Sequence, residues 1–342
     1  MKLKFMRKTG SWKKRLATVA PRNFQARTLE AIRVARALRG DYVRHMPSLL
    51  LHLTAIERLA ANPGELPEDF VRALSEDLAY ARFGAALPDL PLCEGIRGGL
   101  NACYSGRDWP HFARLYHERA PVGMGLKMAE LVAAGALVGT EPGLALLTGY
   151  FTHLCLDRAL HPQVDRLVIR HRRRGEHALA AHRQIEWTQT LFYLRELHGV
   201  DLVGSPRLRS KFEVTKSAAF PVKGIGRGIY ELVRLASHET LQEAPTKQQV
   251  DGWVRGLYLA GLYLSSPLGR MRALPAWSQL SFQELYRNDE FDFAAEVEHA
   301  VDQTRTVLRR LLAYMARGIF TPRARSRFLE EFPEGTIGAC AA

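Results

Sequence analysis

The chain has 342 residues, 47% of them hydrophobic and 24% charged, with a net charge of +13. That composition is ordinary for a globular protein and long enough for one large domain or two small ones, which excludes a chain too polar to form a core. No run of about 18 uninterrupted apolar residues occurs, which excludes a conventional membrane-spanning helix; residues 132–150 come closest and are broken by Gly, Thr and Glu-Pro-Gly.

The charge is uneven. Residues 1–45 carry thirteen Lys and Arg against only Glu30 and Asp41, a net +11, so the rest of the chain is near +2. Residues 25–38 place Leu29, Ile32, Val34 and Leu38 among Arg27, Arg33 and Arg36, the pattern of a basic amphipathic helix. Such an arm predicts an anionic partner: a phospholipid surface first, with an acidic protein the alternative and nucleic acid less favoured. A solvated basic leader is the competing expectation. The first ten residues lack the apolar stretch of a secretory signal, although their poverty in acids also suits a mitochondrial presequence. The four cysteines, Cys93, Cys103, Cys155 and Cys340, form no CxxC pair and read as reduced thiols. Together these features predict a cytoplasmic protein, peripheral to a membrane through residues 1–45.

From residue 46 the dominant period is helical, and the predicted class is all-α. Helices are expected over 47–61, ended by Asn62-Pro63-Gly64, and over 67–82. Residues 83–91, with two prolines, read as a loop. Asp108 reads as the N-cap of a helix running through His117. Long apolar helices are expected over 126–137 and 144–160, split by 139–143, with Pro162 ending the second. His171-Arg172-Arg173-Arg174 reads as a basic tight connection. Helices over 177–197, 226–241, 247–263 and 291–318 complete the map. No alternating strand pattern or hairpin signature is present.

The chemistry concentrates in the fifth of these helices. His153, Asp157 and His161 are spaced by four, so they share one helix face, and the residues between them are mostly apolar. A carboxylate on such a face is costly unless paired or bound to a metal. About twenty residues later His182 and Glu186 repeat the spacing. Five nitrogen and oxygen ligands in two short segments suggest zinc, and more than one ion. A chance set of buried hydrogen-bonding side chains is the competing reading of the spacing. Further candidates are His52, Asp89, and either His111 or His117.

Four pieces in order, Met-Pro-x4-His at 46–52, Gly-x3-Pro-Asp at 84–89, Gly-Tyr-x2-His-x3-Asp-x3-His-Pro at 149–162 and His-x3-Glu at 182–186, resemble the zinc-dependent phospholipase C family. That family is taken broadly, to include glycosylphosphatidylinositol phospholipase D, and is related to the zinc single-strand nucleases. The resemblance covers about residues 46–200, under half of the chain. It implies a multi-helix bundle of that kind with a central metal cleft. The implied organisation is a basic extension at 1–45, a metal domain at 46–200 and a helical portion at 201–342 packed on it.

The resemblance also implies a ligand set. One zinc would take Asp89, His117, His153 and Asp157, and a second His161, His182 and Glu186. A third would share Asp157 and use His52. In secreted members the third ion is held partly by the amine of an N-terminal Trp. Here that point lies behind about 45 residues, so the expectation is two zinc ions, with the third dependent on such an amine. The implied activity is phospholipid or other phosphodiester hydrolysis, with Asp89 as ligand and general base and Tyr150 or Arg158 orienting ligands. The alternatives are a non-catalytic helical scaffold with a structural zinc site, and a di-iron carboxylate bundle built on Glu296-x-x-His299, which lacks the second copy such bundles require. Trp253, Tyr258, Tyr263 and Trp277 read either as core or as an acyl or headgroup cleft.

Overall fold

The computed structural model describes residues 47–97, 110–135, 137–172, 176–215, 224–273, 282–316, 318 and 320–335. The basic arm with its 25–38 helix, Cys103, Asp108, Trp277 and Cys340 lie outside these residues. Among those described the chain is almost entirely helical, as its periodicity predicts. None of these helices is long and apolar enough to cross a membrane.

The elements bearing on the site are α1 (Pro47–Ala61), α2 (Glu68–Ala86), a 3-10 helix (Leu90–Arg97), α3 (His111–Glu118), α4 (Pro121–Ala133), α5 (Thr140–His171) and α6 (Ala178–His198). Two short turns follow, α7 (Pro206–Arg209) and a 3-10 turn (Ser210–Phe212). The rest are α8 (Arg227–Leu241), α9 (Lys247–Leu264), α10 (Pro267–Ala273), α11 (Phe282–Leu285), α12 (Phe293–Ala316) and α13 (Pro322–Glu331). Among the described residues the only strands form a two-residue antiparallel pairing of β1 (Arg287–Asn288) with β2 (Phe291–Asp292). It takes the first two residues expected of the last long helix.

α5 is the axis of the molecule. α2 crosses it closely, and α12, α4, α6 and α1 also pack against it. The closest approach is made by glycines. A Cβ at Gly84 would collide with the Leu146 carbonyl, and one at Gly149 with the Ala81 carbonyl. Two helix backbones therefore touch where any side chain would hold them apart. One apolar cluster runs from Leu49 through Leu146, Leu154 and Trp253 to Leu308 and Phe332, so helices after residue 200 share the core of the first half. Trp253, Tyr258 and Tyr263 are buried in that cluster, the core option of the sequence reading.

Three boundaries differ from the expectation. Pro162 does not end its helix; α5 continues to His171. An interior proline removes one backbone bond, at about 3 kcal/mol, but the turns beyond it bury Val164, Leu167 and Val168 against Ala181 and Ile185 of α6, which offsets that loss. Residues 83–86 belong to α2 rather than a loop, because Phe83, Ala85 and Ala86 are fully buried and Gly84 seats the crossing. α4 is shifted toward the N-terminus: Pro121 begins it, and it stops before Gly135, whose φ is +67°.

Candidate metal centre

All eight side chains singled out as ligands lie together in the interior. His52 comes from α1, Asp89 from the turn after α2, His117 from the last turn of α3, His153, Asp157 and His161 from α5, and His182 and Glu186 from α6. Their exposures run from 0% to 9%. The alternative candidate, His111, is half exposed and pairs with Glu243 at 2.5 Å, so His117 is the histidine that the fold brings in.

Asp157 is the hub. Its Oδ2 lies 3.0 Å from His153 Nε2 and 3.6 Å from His117 Nε2. Its Oδ1 lies 3.1 Å from His52 Nε2 and 3.5 Å from His161 Nε2. One carboxylate thus faces two groups, one oxygen to each. On the first side Asp89 Oδ1 is 3.4 Å from His117 Nε2, and the Nε2 atoms of His117 and His153 are 3.4 Å apart. On the second side Glu186 Oε1 is 3.2 Å from His161 Nε2 and 3.1 Å from His182 Nε2. Asp89 Oδ2 sits 3.9 Å from His52 Nε2, and the His52 ring stacks on that of His153 at 3.8 Å.

Three histidines are held by their other nitrogen. His117 Nδ1 donates to Ala113 O at 2.7 Å, His153 Nδ1 to Ala85 O at 2.9 Å and His182 Nδ1 to Asp165 Oδ1 at 3.2 Å. A carbonyl or carboxylate accepts only, so each Nδ1 carries a proton, and in the neutral ring each Nε2 turns a lone pair toward the centre. Lone pairs then meet lone pairs and carboxylates. Something positive must lie among them, either protons on the rings or metal ions.

The electrostatics agree. Burial opposes charge on every member, yet the partners prevail for most. His153 is pushed down by burial but raised by Asp157 and Asp89 to about 9. His161 is likewise raised by Asp157 and Glu186. His52 is lowered by burial and by His153. Burial would raise the carboxyls, but Asp157 is held well below the usual carboxylate range by His153, His161 and His52. Asp89 is lowered by His117 and His153, and Glu186 by His182 and His161.

The residues fit zinc. Bonds of about 2.0–2.1 Å in a tetrahedron place neighbouring ligand atoms about 3.3 Å apart; His117 lies 3.4 Å from Asp89 and from His153 and 3.6 Å from Asp157, and His153 lies 3.0 Å from Asp157. His161, His182 and Glu186 also form a ligand group, as do His117, His153 and Asp157, and His52, Asp89 and His153, the ligand atoms of each lying within 4.8 Å of one another. The Glu296 and His299 pair takes no part: His299 is exposed and bonded to Gln303, and both border a surface groove. Among the described residues the di-iron expectation therefore has no site.

Two orienting roles are corrected. Tyr150 Oη donates to Pro121 O at 2.9 Å, which ties α5 to α4. Arg158 bonds the Pro333 carbonyl and lies over the Phe332 ring, so it anchors the C-terminal segment. The groups that orient ligands are Asp165 and the carbonyls of Ala85 and Ala113. Asp165 carried a signal, being the fourth member of the series 153, 157, 161, 165; the two carbonyls carried none. Four of the ligands, His52, Asp157, His161 and Glu186, border one small cavity.

No family model, no curated protein and no solved structure matches this chain.

Proposed function

We propose that this chain is a zinc-dependent phosphodiester hydrolase, similar to phospholipase C, acting on a phospholipid or a related phosphodiester. The observation that carries the reading is the gathering of eight nitrogen and oxygen side chains from five separate segments, with four of the histidines, His52, His117, His153 and His161, facing the two oxygens of Asp157. The ordered motif at 46–186 supplies the choice of reaction.

Zinc, when bound by these groups, supplies Lewis acidity that neutralises phosphate charge and acidifies water. The chain's own residues hold the ligand geometry. Asp157 joins the two groups, Asp89 and Glu186 stay ionised beside their histidines, and Asp89 is the carboxylate assigned to accept a proton. Three ligands in the His161, His182 and Glu186 group leave a fourth position free, the pattern of catalytic zinc. His52 and Asp157 provide part of a third position.

The basic arm, Gln25 to Leu38 within it, would hold the protein at an anionic membrane on the cytoplasmic side, where such a substrate resides. Elemental analysis of the purified protein, paired with a panel of phosphodiester substrates, tests the whole reading. Two or more zinc ions per chain with turnover support it, and metal-free protein from zinc-replete buffer defeats it.

One observation favours a second reading. Ligands no more than 9% exposed suit a closed, structural zinc site in a non-catalytic scaffold. That reading expects bound zinc without turnover.

A further inference from the structure

Three of the five inward-facing histidines have a protein acceptor at Nδ1. The other two, His52 and His161, have none among the described residues, and a third buried polar atom nearby, Oε1 of Gln189, has no partner either. These three side chains border one small cavity of about 10 Å³, together with Asp157, Glu186 and Phe293. That volume is the least that takes one water, and a buried water needs two to four polar partners.

Gln189 is set for such a partner. It stands three residues after Glu186 and seven after His182, on the same face of α6, and is fully buried. Its Nε2 donates to the Leu285 carbonyl at 2.8 Å. Because that carbonyl only accepts, the nitrogen must be the atom facing it, and the oxygen is left for the cavity. A buried carbonyl oxygen without a bond costs about 1–3 kcal/mol.

We propose that Gln189 is a positioning residue of the metal centre: its Oε1 accepts a hydrogen bond from a water in this cavity, and that water accepts from Nδ1 of His161 or His52. The water does for that ring what Ala113, Ala85 and Asp165 do for the other three. It keeps the proton on Nδ1 and the lone pair of Nε2 toward the carboxylates. This inference rests on the metal reading above.

Two substitutions separate the parts. Gln189→Met and Gln189→Glu both lose the donor to Leu285, but only Glu keeps an acceptor oxygen. By competition with a chelator, Met should weaken zinc binding about tenfold, as loss of a partner behind a ligand does, and Glu should bind as tightly as the native protein or better. Equal losses in both, or no loss in either, overturn the proposal. A high-resolution crystal structure of the native protein supplies the arm that does not need metal. Density for a water within hydrogen-bonding distance of Gln189 Oε1 supports the proposal, and its absence overturns it. If the native protein takes up no zinc, the metal reading fails by itself, and the density still decides the water.

Discussion

His153 Nδ1 donates to the carbonyl of Ala85 at 2.9 Å, one residue beyond the glycine on which α2 and α5 cross. The ligand is therefore aimed by backbone, and the backbone is in place because Gly84 and Gly149 carry no side chain. The crossing and the centre are mechanically one feature.

Gly149→Ala should expose that link. The added methyl would meet the Ala81 carbonyl and force the helices apart. Overpacking of this kind costs about 1–3 kcal/mol. Ala85 would also move away from His153. The expected result is a lower thermal midpoint together with reduced zinc content, read by calorimetry and elemental analysis. A drop in midpoint with full zinc content would show that the crossing and the centre are independent.

Asp165→Asn should weaken zinc binding at the His161, His182 and Glu186 group. Asp165 Oδ1 accepts from His182 Nδ1 at 3.2 Å while remaining partly exposed, so its loss spares the core. Partners behind a metal ligand are worth about 10–100-fold in affinity. Asn keeps an acceptor oxygen and should fall near the lower end, with Asp165→Ala near the upper. Chelator competition with both variants provides the measurement, and native affinity in the Ala variant would remove Asp165 from the centre.

Asp157→Asn should be the most damaging single change to metal content, because both of its oxygens face histidines. Glu30→Gln in the basic arm is the control. Zinc per chain and phosphodiesterase activity should fall together in the first variant and stay native in the second. Equal, near-native values in both would defeat the central claim for this helix.

How far the sequence carried this picture depends on the kind of information involved. His153, Asp157 and His161 were legible because a helix puts every fourth residue on one face, whatever the surroundings. His182 and Glu186 followed by the same rule. His117 came from the resemblance, since periodicity alone left His111 open; tertiary packing then turned His111 toward Glu243. Pro162 misled because the local rule ignores what the next turns bury. Gln189 and the carbonyls behind the rings were illegible for another reason: their roles come from what faces them across the interior.

The basic arm should bind anionic bilayers. Residues 1–45 hold a net +11, and each basic residue near such a surface contributes about 1 kcal/mol. The expected result is co-sedimentation of the full chain with vesicles containing phosphatidylserine, lost on truncation to Met46 and weakened by salt. Equal binding by both forms, or by neither, would remove the membrane from the reading. Recovery of a third zinc by the truncated form, through its new amine, would make the arm a processed leader.

Zinc uptake should release protons, and the release should shrink as pH rises toward 9. In the metal-free protein Asp157 and Asp89 raise His153 above its ordinary 6.5 to about 9, despite burial, and His161 is raised as well. Near pH 7.5 these rings carry the protons that a metal must displace, because a ligating imidazole is neutral. The sign for stability follows. A histidine raised in the folded state stabilises the metal-free fold fully below about 6.5, and that contribution is lost as pH climbs through about 9. Zinc affinity runs the other way, growing as the competing protons leave. The zinc-induced rise in thermal midpoint should therefore widen between pH 6.5 and 9. Calorimetric titration in two buffers of different ionisation enthalpy counts the protons, and scans with and without zinc follow the midpoint. A proton count that does not change with pH, or a gap that narrows, would mean that these histidines do not hold the protons that metal replaces.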